Sequence, residues 1–158
     1  MKILVISDSH GHIQNLRSVM EIAVKSDMKA VIHCGDWDNV DIFDEALKFG
    51  IPIYSVLGNA DVSPELEDAM RGNCKKFDPF LLELEFDGKK IAVTHSVNMN
   101  NKKLFDFKTV FSGHRHSKDQ KMVNFTNFVR PGALINGINF AVYETITGEV
   151  DFVENINE

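Results

Sequence analysis

In the second half of the chain, Phe111-Ser112-Gly113-His114-Arg115-His116 places two imidazoles two residues apart, just after a glycine. Imidazole is the commonest metal-ligating side chain, and a glycine lets the backbone bend where a side chain would crowd it. The pair reads as half of a metal site. Four other segments carry the same chemistry: Asp8-Ser9-His10, Gly35-Asp36, Gly58-Asn59-Ala60-Asp61 and His95. Together they offer three carboxylates, one amide and four imidazoles. Oxygen and nitrogen donors without a thiolate suit manganese, iron, zinc, nickel or cobalt. The set is too large for one tetrahedral ion and suits two, with one carboxylate shared between them.

Each of these clusters stands at the end of an apolar run, and that is what would position it. Lys2 to Ser7, Ala30 to Cys34, Ile53 to Leu57, Lys89 to Thr94 and Thr109 to Ser112 read as buried strands. The loops beyond the carboxyl ends of strands in an open α/β sheet converge on one rim, where ligands bind. Between the first runs, Ile13, Leu16, Met20, Ala23 and Val24 recur at helical spacing over about 13–26. A second helix begins near Val40 and ends near Gly50. Ser63-Pro64 caps a third that stops at Gly72. Asp87-Gly88 marks a hairpin between Phe80–Phe86 and Lys89–Thr94. An Asn-rich loop spans Val97 to Asn101, and Met122–Phe125, Phe140–Glu144 and Val150–Val153 read as further strands. Alternating strands and helices followed by mainly antiparallel strands imply a mixed sheet, or two packed sheets, in one α/β domain over residues 1–158.

Taken singly, every cluster has an ordinary structural reading. Asp8 or Asp61 could be a turn or cap residue, and His95 a hydrogen-bonded loop residue. His12 is expected to open a helix, His33 to be a strand side chain, and Trp37 to pack or wall a pocket. Five clusters in register at strand ends outweigh those readings.

Composition narrows the function. The chain has 158 residues, 44% of them hydrophobic and 25% charged, which is ordinary for one globular domain. No apolar run approaches the ~20 residues that span a bilayer. Met1 to Ile6 is too short for a signal-peptide core. Two cysteines, Cys34 and Cys74, make no disulfide framework, and a cytoplasmic location is expected. The net charge of −6 is spread without a basic stripe, so the chain should bind long nucleic acid poorly.

In order, these clusters resemble the signature of the calcineurin-like metallophosphoesterases. Arg130-Pro131-Gly132-Ala133 is similar to the Asn-Pro-Gly-Ser turn of the small YfcE-like phosphodiesterase branch. The resemblance implies a four-layer α/β/β/α sandwich of two mixed sheets flanked by helices. It also implies two divalent metal ions, manganese first, with nickel, iron, zinc or cobalt as alternatives. By the family pattern Asp8, His10, Asp36 and His116 would hold one ion, and Asp36, Asn59, His95 and His114 the other. A hydroxide between the ions would attack the phosphorus of a small phosphodiester, with Asp36, His114 and Arg115 as the residues of catalysis. Three positions depart from the pattern. Ala60 stands where many relatives carry the histidine that protonates the leaving oxygen. Asn39 replaces a frequent acidic residue, and Ser96 replaces a glycine. The rival expectation is a non-catalytic protein-binding scaffold like the retromer subunit that shares this branch. Homo-oligomerisation is left open.

Overall fold

The computed structural model describes residues 1–154, so the last four residues of the expected 1–158 domain lie outside the described part. Eleven strands form two mixed sheets. The first runs β11-β10-β1-β2-β3-β4, from β1 (Lys2–Ile6), β2 (Ala30–His33), β3 (Ile53–Ser55), β4 (Lys76–Phe77), β10 (Phe140–Glu144) and β11 (Val150–Val153). Its β1–β4 block is parallel, β10 runs antiparallel to β1, and β11 antiparallel to β10. The second runs β5-β6-β7-β9-β8, from β5 (Leu81–Phe86), β6 (Lys89–Thr94), β7 (Thr109–Phe111), β8 (Lys118–Val123) and β9 (Thr126–Pro131). Here β6, β7 and β9 are parallel between antiparallel edges.

The continuous apolar run of β1 follows from burial on both faces. Ile3 and Val5 point between the sheets, where they meet Leu82, Ile91, Val93 and Phe111. Leu4 and Ile6 point the other way, into a core with Leu16 and Met20 of α1 (Ile13–Lys25), Ile42 and Phe43 of α2 (Val40–Leu47), and Leu66 and Met70 of α3 (Pro64–Asn73). All three α-helices therefore cover one sheet. The other sheet's outer face carries a small cluster of Ala92, Val110, Leu104 and Phe107, closed by a 3-10 turn over Lys102–Asp106. The expected layering is present, with its fourth layer reduced to that turn.

Local readings of the helix starts hold. His12 is the N-cap of α1, its ring nitrogen accepting the Asn15 N–H at 3.2 Å. Ser63 caps α3, with Pro64 at its start. The expected strand Met122–Phe125 is a correction. Those residues straddle the turn between β8 and β9, where Asn124 has φ 53° and Phe125 is 89% exposed. The exposed edge strand β8 offers no apolar alternation to locate it. Among the described residues no helix is long and apolar enough to cross a membrane.

Candidate metal centre

The carboxyl ends of β1, β2, β3, β6 and β7 lie along one rim, and the loops after them bring the expected donors together. Asp8 and Asp36 are buried, His95 nearly so, and His10, Asn59, His114 and His116 face outward. His10 Nε2 lies 3.4 Å from Asp36 Oδ2 and 3.2 Å from His116 Nε2, which is itself 3.2 Å from Asp8 Oδ1. On the other side of Asp36, His95 Nε2 lies 3.2 Å from Asp36 Oδ2 and 3.0 Å from Asn59 Oδ1. His114 Nδ1 approaches the same amide oxygen at 3.1 Å. Asp36 thus stands between two groups of donors.

Glycines permit these approaches. A Cβ on Gly58 would sit 2.1 Å from Asp36 Oδ1, and one on Gly113 would sit 1.9 Å from Ser7 Oγ and 2.5 Å from Asp8 Oδ2. The donors themselves stand on tightly turned backbone, with positive φ at Asp8, His10, Asp36, His114 and His116. Residues of these types tolerate that region better than most, yet it still strains the chain.

The family domain of the calcineurin-like phosphoesterase superfamily matches residues 1–149. The chain belongs to that superfamily. Phosphoester hydrolysis is the chemistry which membership assigns. The phosphodiesterase MJ0936 of Methanocaldococcus jannaschii is 29% identical over 143 residues, 84% of this chain and 83% of that protein. Among solved structures, a novel archaeal phosphodiesterase superposes with a TM-score of 0.82 at 23% identity, covering 97% of this chain and 99% of that one. The Escherichia coli phosphoesterase Yfce superposes at 0.68 with 15% identity, covering 97% and 98%. Vps29 of Chaetomium thermophilum superposes at 0.71 with 13% identity, covering 97% and 95%. At such identities the structural likenesses speak for the fold alone.

Whether the phosphoesterase's donors suit metal ions can be tested on their hydrogen bonding. His95 Nδ1 lies 2.8 Å from the Cys34 carbonyl, so it carries a proton and donates it. In the neutral ring Nε2 then offers a lone pair, and it faces two oxygens, Asn59 Oδ1 and Asp36 Oδ2, that are also acceptors. Three acceptors facing one another need a cation or an extra proton between them. Asp8 Oδ1 is buried with no hydrogen-bond partner and is aimed at His116 and His10. Ligand atoms ~2.1 Å from an ion stand ~3.0–3.4 Å apart, the spacing found here. The donor atoms of Asp8, His10 and His116 fall into one group, and those of Asp8, Asp36 and His95 into another. The residues fit.

Electrostatics point the same way. Burial disfavours ionisation of Asp36, but the hydrogen bond with His95, the Ala60 N–H and the nearby His10 outweigh it and hold the carboxyl at about 2. Burial likewise opposes protonation of His95, and Asp36, the Cys34 carbonyl and Asp8 more than offset it, so its pKa is raised. Without metal, a proton on His95 relieves the crowding of acceptors.

Several residues act behind the donors. Asp61, counted with the polar set in the sequence, turns away from it. Its Oδ2 accepts the N–H groups of Asp36 and Gly58, and its Oδ1 that of Asp38, each at 2.8 Å. It ties the loop after β2 to the loop after β3. Burial pushes its carboxyl up against those three donors. His33 is more than a strand side chain. Its Nδ1 accepts the Gly35 N–H, its Nε2 bonds Ser9 Oγ at 2.9 Å, and its ring stacks on Trp37 at 3.7 Å. Ser7 Oγ and the His114 N–H both bond Asp8 Oδ2. Past the Arg130–Ala133 turn, the N–H groups of Leu134 and Ile135 donate to the carbonyls of Ser7 and Asp8. Sequence reasoning missed the roles of Ser7 and of the Cys34 carbonyl, and a main-chain carbonyl leaves no sequence signal. Asn39 caps α2, accepting the Ile42 N–H. Arg115 and Ser96 line an open pocket of about 410 Å³ beside His114.

Proposed function

We propose that this chain is a cytoplasmic phosphodiesterase acting on small diesters at a two-metal centre. Asp8, His10, Asp36 and His116 would hold one ion, and Asp36, Asn59, His95 and His114 the other. Two such ions would supply water of lowered pKa and neutralise charge that develops on the phosphoryl oxygens. The nitrogen and oxygen donors suit manganese, iron, zinc, nickel or cobalt, and manganese is put first on the family resemblance. The observation that carries this reading is the set of lone pairs converging on Asp36, with Asp8 Oδ1 left without a partner.

The chain's own residues have distinct tasks. Asp36, held ionised by its neighbours, is the shared anion. The Cys34 carbonyl keeps His95 turned with Nε2 toward the site. His114 stands exposed at the pocket edge, and Arg115 beside it offers a guanidinium to the anionic diester. Position 60 contributes only its N–H, to Asp36 Oδ1, and its methyl group cannot protonate a leaving oxygen. Diesters with acidic leaving groups are therefore the favoured substrates.

The scaffold reading draws on the likeness to Vps29, which concerns the fold. A complete donor set favours the enzyme. The test is metal content of protein purified without chelator, together with turnover of bis(nitrophenyl) phosphate against nitrophenyl phosphate. About two transition metals per chain and a preference for the diester are expected. Asp36→Asn should lose metal and turnover together. Metal-free protein that stays inert after metal is added would overturn the proposal.

A further inference from the structure

Behind the pocket at His114 lies a second cavity, of about 300 Å³, on the outer face of the second sheet. The two share Val97, Ser112, Arg115 and Arg130, so they form one trough leading away from the metal donors. The far part has an apolar wall of Val97, Met99, Val123 and Phe128. Register explains the wall and its rim: on the paired strands, Lys121 stands opposite Phe128 and Asp119 opposite Arg130.

The charges around the trough are unevenly committed. Arg130 donates to the Ser117 carbonyl at 3.2 Å and to Ser117 Oγ at 3.3 Å, and its Nη2 lies 3.6 Å from Asp119. Arg115 and Lys121 make no side-chain hydrogen bond or ion pair among the described residues, although both line the cavity. An acidic chain thus leaves two free cations beside an apolar wall, next to its proposed reaction centre. Arg115 stands where the two pockets meet, and Lys121 belongs to the far one alone.

We propose that this trough binds one arm of the substrate, and that the arm is nucleotide-like: a flat ring against the apolar wall, with a further phosphate held by Lys121 and Arg115. The proposal rests on the phosphodiesterase reading and specifies its substrate class. An apolar body alone would leave Lys121, which lies beyond the reach of the reacting diester, without a function, and an anion alone would not use the wall. A cavity of about 300 Å³ suits one nucleotide arm rather than a polymer, in keeping with the net charge of −6.

The test compares two diesters of thymidine and nitrophenol, one with and one without a second phosphate on the far sugar hydroxyl. Bis(nitrophenyl) phosphate is the reference. In the metal-loaded protein the added phosphate should raise kcat/KM about tenfold, mainly through KM, as a charge-assisted contact would. Lys121→Gln and Met99→Glu alter exposed positions away from the metal donors. The first should remove most of that gain while leaving turnover of the reference, which has no second phosphate, unchanged; the second should reverse the gain. Calorimetry gives a reading independent of turnover: thymidine bisphosphate should bind about tenfold tighter than thymidine monophosphate, and Lys121→Gln should abolish the difference. Equal kcat/KM for the two thymidine diesters, or a gain that survives both substitutions, would overturn the subsite. Inert reference substrate with the calorimetric difference intact would overturn the phosphodiesterase reading instead and leave the anion-binding trough standing.

Discussion

Asp61→Asn isolates the clasp between the loops after β2 and β3. The carboxylate accepts three backbone N–H groups, from Asp36, Gly58 and Asp38. An amide can offer its oxygen to the Asp36 and Gly58 donors, but its NH₂ then confronts the N–H of Asp38. The lost charge-assisted bond costs about 1.5 kcal/mol, and the unpaired buried N–H about 1 kcal/mol more. The two remaining bonds weaken by about 0.5 kcal/mol each without the charge. Burial pushes the Asp61 carboxyl up, so an uncharged side chain recovers part of this sum. A net loss of about 2–3 kcal/mol remains, or roughly 8 °C in Tm for a domain of this length. The assay is thermal unfolding followed by circular dichroism in chelator, so that metal linkage does not contribute. Metal affinity should fall too, because the clasp aligns Asp36 with the Asn59 loop. A Tm within about 2 °C of the parent, with metal affinity unchanged, would refute the idea that Asp61 sets the loop geometry.

Gly113→Ala places a methyl group against Ser7 Oγ and Asp8 Oδ2, both held in a buried pocket. It should cost about 1–3 kcal/mol and lower metal content, read by denaturant unfolding and elemental analysis. Ala60→His installs a proton donor where the chain has none, and should speed diesters with poor leaving groups by up to ~10²-fold while helping good ones little. Equal slopes of kcat/KM against leaving-group pKa in the two proteins would mean that another group already supplies the proton. Glu45 is held at about 2 by hydrogen bonds from Arg17 and Lys48, against the opposing effect of burial. Its folded pKa lies below its ordinary 4.5, so its contribution is full above that value and is lost as pH falls toward 2. Glu45→Gln should therefore be less stable than the parent at neutral pH and match it at the acid end, in urea titrations across pH.

The rim of donors was legible because burial on both faces makes β1, β2 and β7 continuous apolar runs, and chemistry begins where each run stops. Asp8, Asp36, Asn59, His95 and His114 became candidates only as a set, each following such a run. The direction of a side chain past the strand end was not: Asp61 belongs to the same cluster in sequence but serves backbone N–H groups. His33 looked like filler because its partner Ser9, 24 residues away in sequence, lies on a loop that only the sheet brings near. Strand β8 escaped notice because an exposed edge needs no hydrophobic period, and β4 spans only Lys76–Phe77. The one-sided helix layer could not be read either, since nothing local in a helix says which of two sheets it will cover.

The left-handed backbone at Asp8, His10, Asp36, His114 and His116 makes retention of this site an uphill matter. Glycine at His10, His114 or His116 would relax the chain and delete a donor in the same step, whereas Asp8 and Asp36 also accept buried hydrogen bonds. If the proposed metal centre were given up, replacing those histidines would gain stability, and the rim would become emptier and firmer. Keeping five strained, non-glycine donors together is the opposite state. On the proposed function, the metal held at that rim is what offsets the strain.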